Sequence, residues 1–292
     1  MKPPAFEYHR PETLDEALAL LAEHEDAKPL AGGQSLIPAM NFRLAAPAAL
    51  VDLGRLTELR GLAAASDKEA GGVRFGAMTT HAALETSPLV AQRAPLLAET
   101  IGFVAHPQIR NRGTLGGSLA HADPAAELPV VMVALEATLT LQRAGGERRV
   151  PAEQFFTGLF ATALEPGELV TAIEVPPLPA RSGWAFEEMA RRHGDYALVG
   201  VAVVLRLDPA GRCENARVVL LSVGDGPVLA RRAMTALAGQ AVNAEVIAGA
   251  AELVASEDID PPSDIHASAA YRRQLARVLT RRALTRALER VR

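Results

Sequence analysis

Two glycine-paired turns, widely separated in the chain, constrain it more than any other feature. The first is Ala31-Gly32-Gly33-Gln34-Ser35, followed by Leu36, and the second is Thr114-Leu115-Gly116-Gly117-Ser118. Each offers successive main-chain N–H groups without Cβ atoms and ends in a hydroxyl. Glycine permits positive φ and lets an anion approach the backbone closely. Clustered main-chain amides of this kind hold phosphate. A chain that builds the device twice points to a ligand with two adjacent phosphates, a dinucleotide. Neither turn has the Gly-x-x-x-x-Gly-Lys of a P-loop or the Gly-x-Gly-x-x-Gly of a Rossmann turn.

The surrounding pattern is that of a mixed chain. Thr13-Leu14-Asp15-Glu16 reads as a capping box opening a helix through Leu21. Strands are expected at Lys28–Ala31, Ala49–Leu53 and Val73–Ala77, and helices at Thr79–Thr86 and Pro88–Ile101. His106–Asp123 has many turn formers and reads as an extended loop opening into a helix near Glu127. Strands follow at Glu136–Gln142 and Glu168–Val175. Pro176-Pro177-Leu178-Pro179 is a stiff linker. The expected domains are therefore 1–177 and 181–290. The second carries three strands, Trp184–Met189, Leu198–Leu207 and Ala216–Val223. Helices follow at Val228–Leu237, Ala244–Ala255 and Ala269–Arg290.

Composition narrows the function. The 292 residues carry 30 Lys+Arg against 34 Asp+Glu, which excludes a generally basic nucleic-acid binder. The single cysteine, Cys213, excludes an internal disulfide and a self-contained iron–sulfur cluster. The N-terminus lacks a signal-peptide apolar region, and no stretch has the length of a membrane span, so a cytoplasmic location is expected. No catalytic nucleophile and no metal site are assigned: His121, Asp123 and Glu127 lack the spacing of zinc or non-haem iron ligands. A carboxylate there suits a ribose hydroxyl. Arg110 and Arg112 stand where they would offset pyrophosphate charge or remain solvated. The arginines of the last helix read as a solvated face or a docking surface.

The segments AGGQSLIPAMNFRL, IRNRGTLGGSLAHADPAAELP, VPAEQFFTGLFATALEPGELVTAIEVP and RRHGDYALVGVAV, in this order, resemble the FAD-binding medium subunit of molybdenum hydroxylases. Carbon monoxide, xanthine, and bacterial nicotine- and purine-oxidising dehydrogenases make up that group. The resemblance covers nearly the whole chain. It implies an α+β architecture: a two-subdomain FAD-binding domain of vanillyl-alcohol-oxidase type, then a smaller domain with a three-stranded antiparallel sheet and helices. It assigns Ala31, Gly32, Gly33, Gln34, Ser35 and Leu36, with Thr114, Leu115, Gly116, Gly117 and Ser118, to the pyrophosphate of a non-covalent FAD. Asp123 and Glu127 would be acidic FAD contacts. Val104, His106, Leu169 and Val170 would line the flavin or adenine, and Asp195 and Tyr196 would approach the isoalloxazine. Several relatives carry a lysine shortly after the aromatic at Phe186, where this chain has Glu187 and Glu188.

The implied role is electron transfer from iron–sulfur clusters through FAD to NAD, a quinone or another acceptor. An iron–sulfur small subunit and a molybdopterin large subunit would hold the 2Fe–2S clusters and the molybdenum cofactor. Two other readings compete: a self-sufficient FAD oxidase acting on its own small organic substrate, and an assembly subunit that has lost the cofactor.

Overall fold

The computed structural model of the protein describes residues 2–65 and 71–291. Thr13 caps the helix Leu14–Glu23: its hydroxyl accepts the Glu16 N–H at 3.2 Å, and the Glu16 carboxylate accepts the Thr13 N–H at 3.4 Å. That helix buries Ala17, Leu18 and Leu21. The strands Glu7–His9, Ala49–Asp52 and Ala27–Leu30 form a parallel sheet in that spatial order. Parallel pairing requires crossovers, which the helix and the segment 31–48 supply. The first glycine turn leaves the carboxyl end of Ala27–Leu30, where open α/β sheets place ligands.

A second sheet is antiparallel, with five strands in the order Leu62–Ala64, Val73–Gly76, Leu169–Val175, Thr138–Arg143 and Gly146–Pro151. Against it packs the helix Glu127–Ala134, every residue of which is buried. A helix apolar on all sides belongs inside a core. The expected extended loop at 106–123 is instead largely helical, with turns at Pro107–Arg110 and Leu115–His121. Thr114 caps the second of these, a capping signal that the glycines obscure. The expected helix Pro88–Ile101 is broken into Pro88–Arg93 and Pro95–Thr100, because Pro95 has no N–H to continue it. Glu136 adopts φ 55° and delays the next strand to Thr138.

The C-terminal half carries the three expected strands as Ser182–Ala190, Ala197–Leu207 and Cys213–Leu221, all antiparallel. The two-residue strand Val228–Leu229 adds a fourth at the edge, where a helix was expected to begin. The helix proper runs Arg231–Leu237. Side chains alternate across this sheet. Phe186, Ala202, Val204, Val219 and Leu221 enter the core that contains the buried helix Glu127–Ala134. Ala185, Val201, Val203 and Val218 enter a separate core under the helix Ala269–Glu289.

The arginines of that last helix divide: Arg277, Arg281 and Arg282 are exposed, whereas Arg272, Arg273 and Arg286 are engaged in the fold. Arg272 is buried, with hydrogen bonds to the Leu198 and Ser222 carbonyls and to Asp264 at 2.7 Å. Arg286 and Arg290 both reach Glu99 on the helix Pro95–Thr100, which also accepts the Phe186 N–H at 3.2 Å. Arg217 donates to the Val133 carbonyl at 3.0 Å and to Glu153 at 2.9 Å. These bonds and the shared core fasten the two halves together. Phe186 is fully buried at that contact, edge-on to Phe103 at 5.2 Å. Phe186→Ala is expected to cost about 3–5 kcal/mol of stability in denaturant titration. A loss below about 1 kcal/mol would show that the contact is loosely packed.

Candidate functional site

The two glycine turns meet through their main chains. A Cβ on Gly32 would lie 2.1 Å from the Arg112 carbonyl oxygen and 2.9 Å from the Gly113 Cα. A Cβ on Gly117 would lie 3.5 Å from the Ala31 Cβ and 2.7 Å from Thr114 Oγ1. Gly33 holds φ +74°, and its carbonyl accepts the Ile37 N–H at 3.2 Å, starting the helix Leu36–Asn41. Gln34 turns back to donate to the Gly32 carbonyl at 3.2 Å. Among the described residues, the main-chain N–H groups of Gly32, Gly33, Gln34 and Ser35 have no acceptor within the chain. This turn is half-buried, with Ser35 exposed and Leu36 half-buried behind it.

The second turn contributes differently from the sequence expectation. Its amides are committed internally: Leu115 to the Thr79 carbonyl at 2.9 Å, Gly116 to Ala77 at 2.8 Å, Gly117 to Thr114 Oγ1 at 3.2 Å, and Ser118 to the Thr114 carbonyl at 3.0 Å. What it offers is the bare α-carbon of Gly117 beside Ala31, with the half-buried Ser118 next in the chain. Gly116 has a separate reason to be glycine, since its Cβ would fall 2.5 Å from that of Ala77.

Behind the turn lies His81, which no motif in the chain marks out. It is buried against Gly113, and burial pushes its imidazole down to about 4, so it is neutral. Arg110 does not serve as a countercharge for phosphate. It is buried and engages Glu85 through two bonds of 2.9 and 3.0 Å, and the Val104 and Ala105 carbonyls at 2.9 and 3.3 Å. Arg112 is exposed, and it touches the first turn with its carbonyl.

The loop 191–196 of the C-terminal half lies directly on the 104–106 turn. A Cβ on Gly194 would come within 2.4 Å of His106 Cε1 and 2.6 Å of the Ala105 carbonyl. Val104 and His106 are thereby brought to Asp195 and Tyr196. Asp195 accepts the Tyr196 N–H at 3.0 Å and pairs with Arg191 at 3.3 Å, while the Tyr196 ring is exposed. Leu169 and Val170 are not on this open side: both are buried, Leu169 with Leu18 and Met78, Val170 in the main core. Cys213 is also buried, and burial pushes its thiol up to about 11, so it is unreactive.

Carboxyl groups gather where the halves meet. Asp123 accepts the Ala125 N–H at 2.9 Å, fixing the turn into the buried helix that Glu127 begins. Burial, and then Asp123, push Glu127 up to about 7. Glu188 shares its sheet face with Phe186 and stands opposite Gly200, which has no side chain to fill the space. Its Oε2 is buried without a hydrogen-bond partner. Burial, and then Glu127, push it up to about 8. Glu187 points the other way and is paired with Arg286.

Residues 4–178 match the family described as FAD binding domain in molybdopterin dehydrogenase, and residues 184–287 the CO dehydrogenase flavoprotein C-terminal domain. The chain is 44% identical over 293 aligned residues to the 6-hydroxypseudooxynicotine dehydrogenase complex subunit alpha of Paenarthrobacter nicotinovorans, covering 100% of this chain and 97% of that one. It superposes on a chain of carbon monoxide dehydrogenase from Hydrogenophaga pseudoflava with TM-score 0.94 and 41% identity, covering 100% of each chain. A chain of quinoline 2-oxidoreductase from Pseudomonas putida 86 gives TM-score 0.92 at 43% identity, covering 99% of each.

The carboxyl pair has a pH signature. Glu188 and Glu127 bind protons more tightly folded than unfolded, so their contribution to stability is complete below about 4.5 and is lost as pH rises through 7 and 8. Glu188→Gln keeps the neutral shape at every pH. Its melting temperature is expected to match that of the native protein near pH 5 and to exceed it by a few degrees at pH 8. An equal difference at both values would show that this carboxyl is not held in its acid form.

Proposed function

The chain belongs to the FAD-binding medium-subunit family of the molybdenum hydroxylases, and we propose that it is the electron-transfer subunit of such an enzyme, passing electrons from iron–sulfur clusters to NAD, a quinone or another acceptor. The observation that carries this reading is the apposition of the turns, with four unpartnered main-chain N–H groups on one side and a bare glycine α-carbon on the other. A diphosphate fits that cradle: its oxygens accept from the amides of 32–35, and it needs the space that a Cβ on Gly117 would fill.

In this reading Ala31–Leu36 and Thr114–Ser118 hold the pyrophosphate, with Asp123 and Glu127 at the ribose and ring side. Val104, His106, Asp195 and Tyr196 form the opening between domains 1–177 and 181–290. Leu169 and Val170 support the sheet beneath. Bound FAD supplies reversible one- and two-electron chemistry, which links one-electron clusters to a two-electron acceptor. The chain's residues bind, orient and exclude water, and none acts as a nucleophile. At neutral pH Glu188 stands as a neutral acid, so it does not set a negative charge where several relatives have lysine. The 2Fe–2S clusters and the molybdenum cofactor belong to an iron–sulfur small subunit and a molybdopterin large subunit. Among the described residues no helix is long and apolar enough to cross a membrane.

Gly117→Val is expected to leave the far-UV circular dichroism unchanged and to lower the flavin-to-protein ratio of the purified chain at least about tenfold, as its side chain fills the anion's place. Full flavin content in this variant would overturn the assignment of the turn. The isolated flavin-loaded chain is expected to keep its yellow absorbance when heteroaromatic or aldehyde substrates are added anaerobically. Bleaching without partner subunits would mark a self-sufficient oxidase instead.

A further inference from the structure

Outside the glycine turns, three side chains with lone pairs converge at the edge of the parallel sheet. Glu7 and His9 are two apart on the strand Glu7–His9 and so share one of its faces. His24 ends the helix Leu14–Glu23, fixed by its N–H to the Leu20 carbonyl at 3.1 Å and by its carbonyl to the Ala27 N–H at 2.9 Å. The atoms these three residues offer lie within 4.8 Å of one another.

From this we propose that Glu7, His9 and His24 bind a divalent transition-metal ion of the zinc type. His9 Nε2 is closed off from solvent and has no hydrogen-bond partner, although a Glu7 carboxylate oxygen stands 3.4 Å away. Two tetrahedral ligand atoms at bond lengths of about 2.0–2.1 Å are separated by about 3.4 Å. Two imidazoles on one such ion place their ring centres about 5 Å apart. The His9 and His24 rings are 5.1 Å apart with planes inclined by 28°. The 3.4 Å spacing is that of two ligand atoms on one shared cation, and the second imidazole lies beside the first. Two imidazole nitrogens and one carboxylate suit zinc and its neighbours rather than magnesium or calcium, which prefer all-oxygen shells. Water takes the fourth position, since three protein ligands leave one vertex open.

The ion ties the first strand to the end of the first helix. That helix end lies just before the strand Ala27–Leu30, which delivers the first glycine turn. The test uses the untagged full-length chain, stripped with a chelator and titrated with zinc by calorimetry and with cobalt by visible absorption. One equivalent of zinc is expected to bind and to raise the melting temperature, and cobalt is expected to give tetrahedral d–d bands. His9→Ala and His24→Ala are each expected to weaken zinc binding at least by the about 10–100-fold known for outer-shell changes. Gly117→Val is expected to keep zinc binding intact, which separates this site from the flavin reading. Absence of a one-equivalent site, or unchanged binding in the His9→Ala/His24→Ala double variant, would overturn the proposal.

Discussion

The rest of the structure depends on a single backbone approach, that of Gly32 to the carbonyl of Arg112. No residue with a Cβ permits it, because that atom would sit 2.1 Å from the oxygen. Each partner is held from behind. Gly33 enters the left-handed region to start a helix, and the second turn is anchored by main-chain bonds to Thr79 and Ala77 and by Arg110 gripping Glu85. The two turns are left unlike: the amides of Gly32 to Ser35 are free among the described residues, while those of Leu115 to Ser118 are all committed within the chain. Two similar motifs thus have different duties, because one ends a parallel strand and the other lies against an antiparallel sheet.

A second constraint is the shared core between the halves. The C-terminal sheet gives one face to its own helices and the other to the buried helix Glu127–Ala134. Glu99 receives Arg286, Arg290 and the Phe186 N–H at this border. The same closeness takes Glu127 and Glu188 out of water without giving Glu188 Oε2 a donor, and protonation is the least costly response. The raised carboxyls therefore follow from how the halves pack.

The elements with strong local signals were legible: the capping box at Thr13, the long C-terminal strands, and the last helix. So was the pairing of the two glycine turns. Where the sequence misled, a local rule was overridden. The glycines of 114–118 read as loop, yet Thr114 caps a helix that tertiary carbonyls complete. The burial of Leu169 and Val170 follows from the central strand that they begin. Arg110 read as a phosphate partner or a solvated charge and is neither, because sequence shows charge and not the nearest carboxylate, Glu85. His81 gave no signal, and Glu188 stood out only against the lysine of several relatives; the proton affinity of both comes from burial.

By itself the sequence determined the two glycine pairs, the strongly patterned helices and strands, and the single thiol of this chain. These are properties of side-chain chemistry and local backbone preference, which travel with the sequence. Only the tertiary structure decided which amides remain unpartnered, which arginines are already engaged, and which carboxyls keep their protons. Each of those depends on distance to groups remote in the chain and on the exclusion of water, and neither is encoded at any one position.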